Sequence, residues 1–129
     1  MKKETTLWIA NAEQDFKTVE ILLQSNEGPP GLICFHCQQS AEKYIKAFLV
    51  ERNIEFPRTH DLLILIEGYL LPINGAFRQI IPVATDITDF ATSTRYPDSE
   101  EDLDIFVARD AYKAMIEIKA FILSKINSD

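Results

Sequence analysis

Apolar residues recur every three or four positions along most of this chain, a period that predicts helices and no convincing strand. Five helical stretches follow. In the first, about Thr5 to Gln24, Leu7, Trp8, Ala12, Phe16, Val19 and Leu23 form one apolar stripe. The run Ser25-Asn-Glu-Gly-Pro-Pro-Gly31 breaks it, because Pro and Gly continue a helix only at a cost. The second, about Leu32 to Arg52, carries Cys34, Cys37, Ala41, Tyr44, Ile45 and Phe48 on one face. His36, Gln39, Lys43, Lys46 and Val50 lie on the opposite face, which is expected to meet water or a partner.

Pro57 closes the next break, and Thr59 is a suitable cap for a short third helix through His60, Asp61, Leu62, Leu65 and Tyr69. Asp61 then falls in the first turn, where the helix dipole favours an anion. A fourth stretch, about Ala76 to Thr94, contains Pro82, which must kink it or begin a new helix; Ile87 and Phe90 face inward. Ser99 can cap the fifth, about Glu101 to Ile126. That helix is apolar on more than one side, which suggests a central helix or a dimer interface. Trp8 and the eight phenylalanines are read as core.

At 129 residues the chain has the size of a single domain, 1–129, and can bury a core without disulfide or metal support. No apolar run approaches the roughly 20 residues that span a bilayer. Polar Asn11, Glu13, Gln14 and Asp15 follow the N-terminal lysines too soon for a secretory signal, so a cytoplasmic protein is expected. The net charge of −7 argues against a broad nucleic-acid surface. Five of the acids, Asp98, Glu100, Glu101, Asp102 and Asp104, fall together; setting those five aside changes −7 to −2, so a local basic pocket is compatible with the total.

Cys34 and Cys37 form a CxxC, but no second pair exists to complete a zinc site, and two small apolar residues on a buried helix face explain the spacing. No metal site and no cofactor are expected. Nucleophile elbows, metalloprotease helices and Gly-rich phosphate loops are lacking, and four glycines leave little scope for a dinucleotide fold.

The polar residues that remain form three short blocks: His36-x-x-Gln-Gln-Ser-Ala-Glu-Lys-x-x-Lys-Ala47, Thr59-His-Asp-Leu62, and Arg95-Tyr-Pro-Asp98. In order, spacing and helical layout these resemble the HEPN family, a nucleotide-binding helical domain of prokaryotes and of some large eukaryotic proteins. The resemblance covers nearly the whole chain. It implies an all-α, up-and-down bundle of four to five helices that forms a homodimer. It also implies a link to nucleotide, such as ATP or GTP, or to RNA. Many members accompany a small nucleotidyltransferase as a toxin–antitoxin pair, and others are ribonucleases that use an Arg, four to six residues, then a His. Here seven residues intervene between Arg52 and His60 and one between Arg58 and His60, so the standard ribonuclease spacing is not present and intrinsic cleavage is not expected.

Lys43, Lys46, His60, Arg95, Tyr96 and Asp98 are therefore the candidate nucleotide ligands, with His60 the one candidate for acid–base chemistry. Each has a plainer alternative. Lys43 and Lys46 can simply face water, with Glu42 and Lys46 paired one turn apart. His60 can bond nearby backbone, and Arg95 can satisfy a helix end or pair with Asp98. Tyr96 can stack on a base or plug the edge of the core.

Overall fold

The second helix, not the fifth, lies at the centre of this fold. The computed structural model describes residues 1–93 and 104–128, with side chains described through 90 and again from 104. The elements are α1 (Lys3–Gln24), α2 (Pro30–Glu51), a single short turn α3 (Leu62–Leu65) continuing as a π-helical turn over Ile66–Leu70, a 3-10 turn over Gly75–Ile80, α4 (Ile81–Ser93) and α5 (Ile105–Ile126). No strand occurs among the described residues.

α2 packs most heavily on α1, then on α5 and α4, while α1 and α5 meet mainly through side chains, Lys119 on Glu13 and Tyr112 on Glu20 and Phe16. Its sides are therefore almost all covered. Ile33, Cys34, Cys37, Ala41, Tyr44, Ile45, Ala47 and Leu49 are fully buried, and so are most of Gln38, Glu42 and Lys46. α5 buries one stripe, Ala108, Ala111, Met115, Ile118 and Ile122, and leaves Phe106 and Ile116 in solvent. Three of the expected core residues are exposed: Leu7, Phe35 and Phe106, the last at 68%.

Local chemistry sets the breaks. Pro30 occupies the first position of α2, where its missing N–H costs nothing. Gly28 lets the preceding turn press against α1, since a Cβ there would sit 2.5 Å from the Leu22 carbonyl oxygen. α2 ends in a Schellman motif: Asn53 adopts φ 59°, Ile54 N–H donates to Leu49 C=O at 2.9 Å, and Asn53 N–H to Val50 C=O at 3.1 Å. Arg52 then donates to the Lys125 carbonyl at 2.9 Å, tying the ends of α2 and α5 together.

Pro82 begins a new helix rather than kinking one. The segment before it is a 3-10 turn capped by Asn74, and α4 starts at Ile81. Ile87 is buried and Phe90 packs against the core, as their spacing predicts. The described part of α5 starts at Ile105, capped by Asp104, whose carboxylate accepts from Val107 N–H at 2.9 Å. Ser99, the expected cap, lies outside the described residues.

Candidate functional site

Gln38, Glu42 and Lys46 are spaced four residues apart and so form one file along α2. All three are buried, with Glu42 3% and Lys46 6% exposed. Lys46 is thus not on a solvated stripe. Burying an unpaired charge is costly, so the file must be internally neutralised. Lys46 Nζ lies 3.0 Å from Glu42 Oε2 and also rests over the rings of Trp8 and Phe56, 5.8 Å from each centroid.

The Thr59-His-Asp-Leu62 block brings His60 to the same carboxylate. Thr59 Oγ1 accepts from Asp61 N–H at 3.1 Å, and Asp61 caps α3 by accepting from Leu63 N–H at 2.9 Å and Ile64 N–H at 3.3 Å. Asp61, rather than Thr59, is therefore the N-cap. Gln38 Nε2 donates to the His60 carbonyl at 2.7 Å, which holds this turn against α2. His60 Nδ1 is then 3.0 and 3.2 Å from the two Glu42 oxygens. A carboxylate only accepts, so Nδ1 carries the proton and Nε2 is the ring nitrogen free for other work. The His60 side chain is 69% exposed while Glu42 is sealed beneath it.

These groups surround a hollow of about 460 Å³ lined by Trp8, Lys46, Phe56, Arg58 and His60. The arrangement joins three basic side chains to two aromatic faces above one buried carboxylate. Cations of this kind bind phosphate, and aromatic faces accept a base. Arg58 is exposed and makes no ion pair among the described residues, so its fork is open to a ligand.

Of the expected ligands, Lys46 and His60 are brought together here. Lys43 is not among the residues that line the hollow; it points across to α1, where Asp15 accepts from it at 2.6 Å and bonds His36 Nδ1 at 2.9 Å. Arg95, Tyr96 and Asp98 lie outside the described residues. Trp8, Phe56 and Arg58 are the contributions that sequence reading missed. Trp8 and Phe56 look like core residues, and Arg58 drew notice only for its distance from His60. The signal for Glu42 was present, since polar residues at 38, 42 and 46 define a file that only burial explains.

Among the described residues no cluster of His, Cys, Asp or Glu could hold a metal ion, and Cys34 and Cys37 are free, buried thiols. Burial raises the Cys34 thiol to about 11 and Cys37 further still, with the Cys34 charge adding to the second. A thiolate is therefore strongly disfavoured, which suits a packing role. No helix among the described residues is long and apolar enough to cross a membrane.

The HEPN domain family matches residues 5–126, nearly the full bundle. The chain belongs to the HEPN family. Its backbone superposes on the crystal structure of ST0689, an archaeal HEPN homologue, with a TM-score of 0.76 and 26% identity, covering 98% of this chain and 100% of that one. A curated relative from Methanocaldococcus jannaschii, "Putative toxin MJ1304", is 28% identical over 102 residues. That match takes in 74% of this chain and 65% of the relative, so the chain spans less than two thirds of the relative's length. In this HEPN domain the Gln-Gln-Ser-Ala-Glu-Lys block lies on central α2, and its Ser40 donates to the Ala12 carbonyl at 3.0 Å to lock α1 in place. Much of the family block is thus bundle architecture, and Glu42, Lys46 and His60 are the part that reaches a cavity.

Proposed function

We propose that this HEPN domain binds a nucleotide in the hollow between Trp8, Phe56, Lys46, Arg58 and His60. One observation carries the reading: Lys46 of α2 and His60 of the α3 turn converge on buried Glu42, beneath two aromatic rings, at a cavity of mononucleotide size. The net charge of −7 favours such a confined basic spot over a long nucleic-acid track. Arg95, Tyr96 and Asp98 stay in the ligand set on the family resemblance. The domain acts as a cytoplasmic homodimer, partner to a small nucleotidyltransferase in a toxin–antitoxin type pair. The archaeal relative named as a toxin supports that setting, and exposed Phe35, Phe106 and Ile116 supply apolar surface for contact with other chains.

Thermal unfolding with millimolar adenine and guanine nucleotides tests the binding. A ligand at ten times its Kd adds about 1.4 kcal/mol, a rise of several degrees in Tm. The rise should vanish in Arg58→Ala, whose side chain is exposed and carries no part of the core. Unchanged Tm with every nucleotide refutes the reading.

A second reading, a divergent ribonuclease, is favoured by one fact: Arg58 and His60 line the same hollow, and Glu42 orients the imidazole as a general base requires. Cleavage of tRNA or mRNA by the wild type and by His60→Ala decides it. Equal activity in the two ends that reading.

A further inference from the structure

A second hollow, of about 640 Å³, adjoins the first, and Trp8 and Phe56 line both. The two differ in charge. In the first, two cations face one carboxylate, and His60 adds a further positive charge when protonated; the balance is one or two positive charges. The second is lined by Glu4 and Glu55, together with Asn53 and Lys2. Lys2 adds one positive charge, so these charged groups balance at −1; its ammonium donates to the Val50 carbonyl at 3.3 Å and to Asn53 Oδ1, and its backbone N–H to Glu51 Oε1 at 3.0 Å. Glu4 and Glu55 are exposed and make no ion pair among the described residues.

Resting on the nucleotide-binding reading above, we propose that the ligand carries a single phosphate: a nucleoside monophosphate, free or as the phosphorylated end of a strand. A phosphate monoester carries about −1.5 to −2 charges at neutral pH, which matches what the first hollow can neutralise. A triphosphate brings about two more, for which no cation of the hollow is left. The carboxylates of the second hollow accept hydrogen bonds from ribose hydroxyls and exocyclic amines, and the shared indole and phenyl faces take the base. The same carboxylates repel a second phosphate, so the interior of a nucleic-acid strand is excluded where its end is not.

Trp8 is the one tryptophan of the chain and sits on the wall between the hollows, so its fluorescence reports occupancy. Adenosine, AMP, ADP and ATP are titrated in EDTA, so that each ligand bears only its own charge. Short RNA with and without a 5′-phosphate forms a parallel arm. AMP should bind about tenfold tighter than ATP, with adenosine weaker than AMP. Phosphorylated RNA that binds while AMP does not assigns the site to strand ends; AMP binding assigns it to free nucleotide. The exposed pair Glu4→Gln/Glu55→Gln removes the two negative charges that oppose further phosphates, so the AMP-to-ATP affinity ratio should fall. ATP binding as well as AMP, or an AMP-to-ATP ratio that the double variant does not alter, overturns the single-phosphate inference and leaves nucleotide binding standing. No response to any ligand overturns both.

Discussion

Replacing Glu42 by Gln removes one charge from the most deeply buried ionic group in the described fold, and the cost can be worked from the geometry. Glu42 and Lys46 are 3.0 Å apart, with side chains 4% and 8% exposed. At an effective dielectric of 20 their attraction is about 5–6 kcal/mol. Part of that only offsets the desolvation of the carboxylate, which the substitution also relieves. What persists is the Lys46 ammonium, held under Trp8 and Phe56 with no anion beside it. Breaking one side of a buried pair costs about 3–5 kcal/mol, and Gln can still accept one hydrogen bond, so the expected loss is about 3 kcal/mol. That is a large share of the roughly 6–19 kcal/mol available to a domain of this size and a fall of about 10 °C in Tm.

Asp15→Asn is the control. Asp15 is also buried, but its partners Lys43 and His36 are 26% and 23% exposed and can turn to water, so the loss should be about 1–2 kcal/mol. Adding Lys46→Met to Glu42→Gln removes the stranded charge and should recover most of the loss, because an apolar replacement of a whole buried pair is close to neutral. Urea denaturation followed by circular dichroism measures all of these, with an unchanged slope showing that the unfolded state is not altered. The reasoning fails if Glu42→Gln costs under about 1 kcal/mol, if Asp15→Asn costs as much, or if the double variant is no more stable than Glu42→Gln alone.

Asp61→Ala should lower stability by about 1 kcal/mol through loss of the α3 cap, and should also weaken any ligand effect that depends on His60; equilibrium unfolding and the nucleotide-dependent Tm shift read the two. Cys34, whose thiol is raised to about 11 by burial, should not react with a disulfide reagent at pH 8 in the folded protein, and neither should Cys37. Both should react at once in denaturant, and fast labelling of the native state would contradict their burial.

Helix identity and breaks were largely legible because they depend on near neighbours, while the cap of α3 falls on Asp61 and not on Thr59. Pro30 and Gly28 mark the start of α2, Pro82 marks the start of α4, and the burial of Ile87, Ala41 and Tyr44 follows from their period. Which helix is central was not legible. α5 has the more apolar sequence, yet α2 is the one enclosed on most sides, because its polar file is satisfied by neighbours rather than by water. Leu7, Phe35 and Phe106 were misplaced for the same reason, since apolar character alone does not say which face finds a partner.

The candidate site divides along the same line. The residues Gln38, Glu42, Lys46 and His60 stand in the sequence as family blocks, and their helical spacing by itself puts the first three in a row. That Lys43 turns to Asp15 while Lys46 turns to Glu42 is a matter of which helix lies alongside, and so is the meeting of Trp8, Phe56 and Arg58 with His60. Chain-local propensity and periodicity act over a turn or two of helix. The sharing of one buried carboxylate by groups 4 and 18 residues away is decided only when the packed helices shut out water and make each charge answer to its nearest neighbour in space.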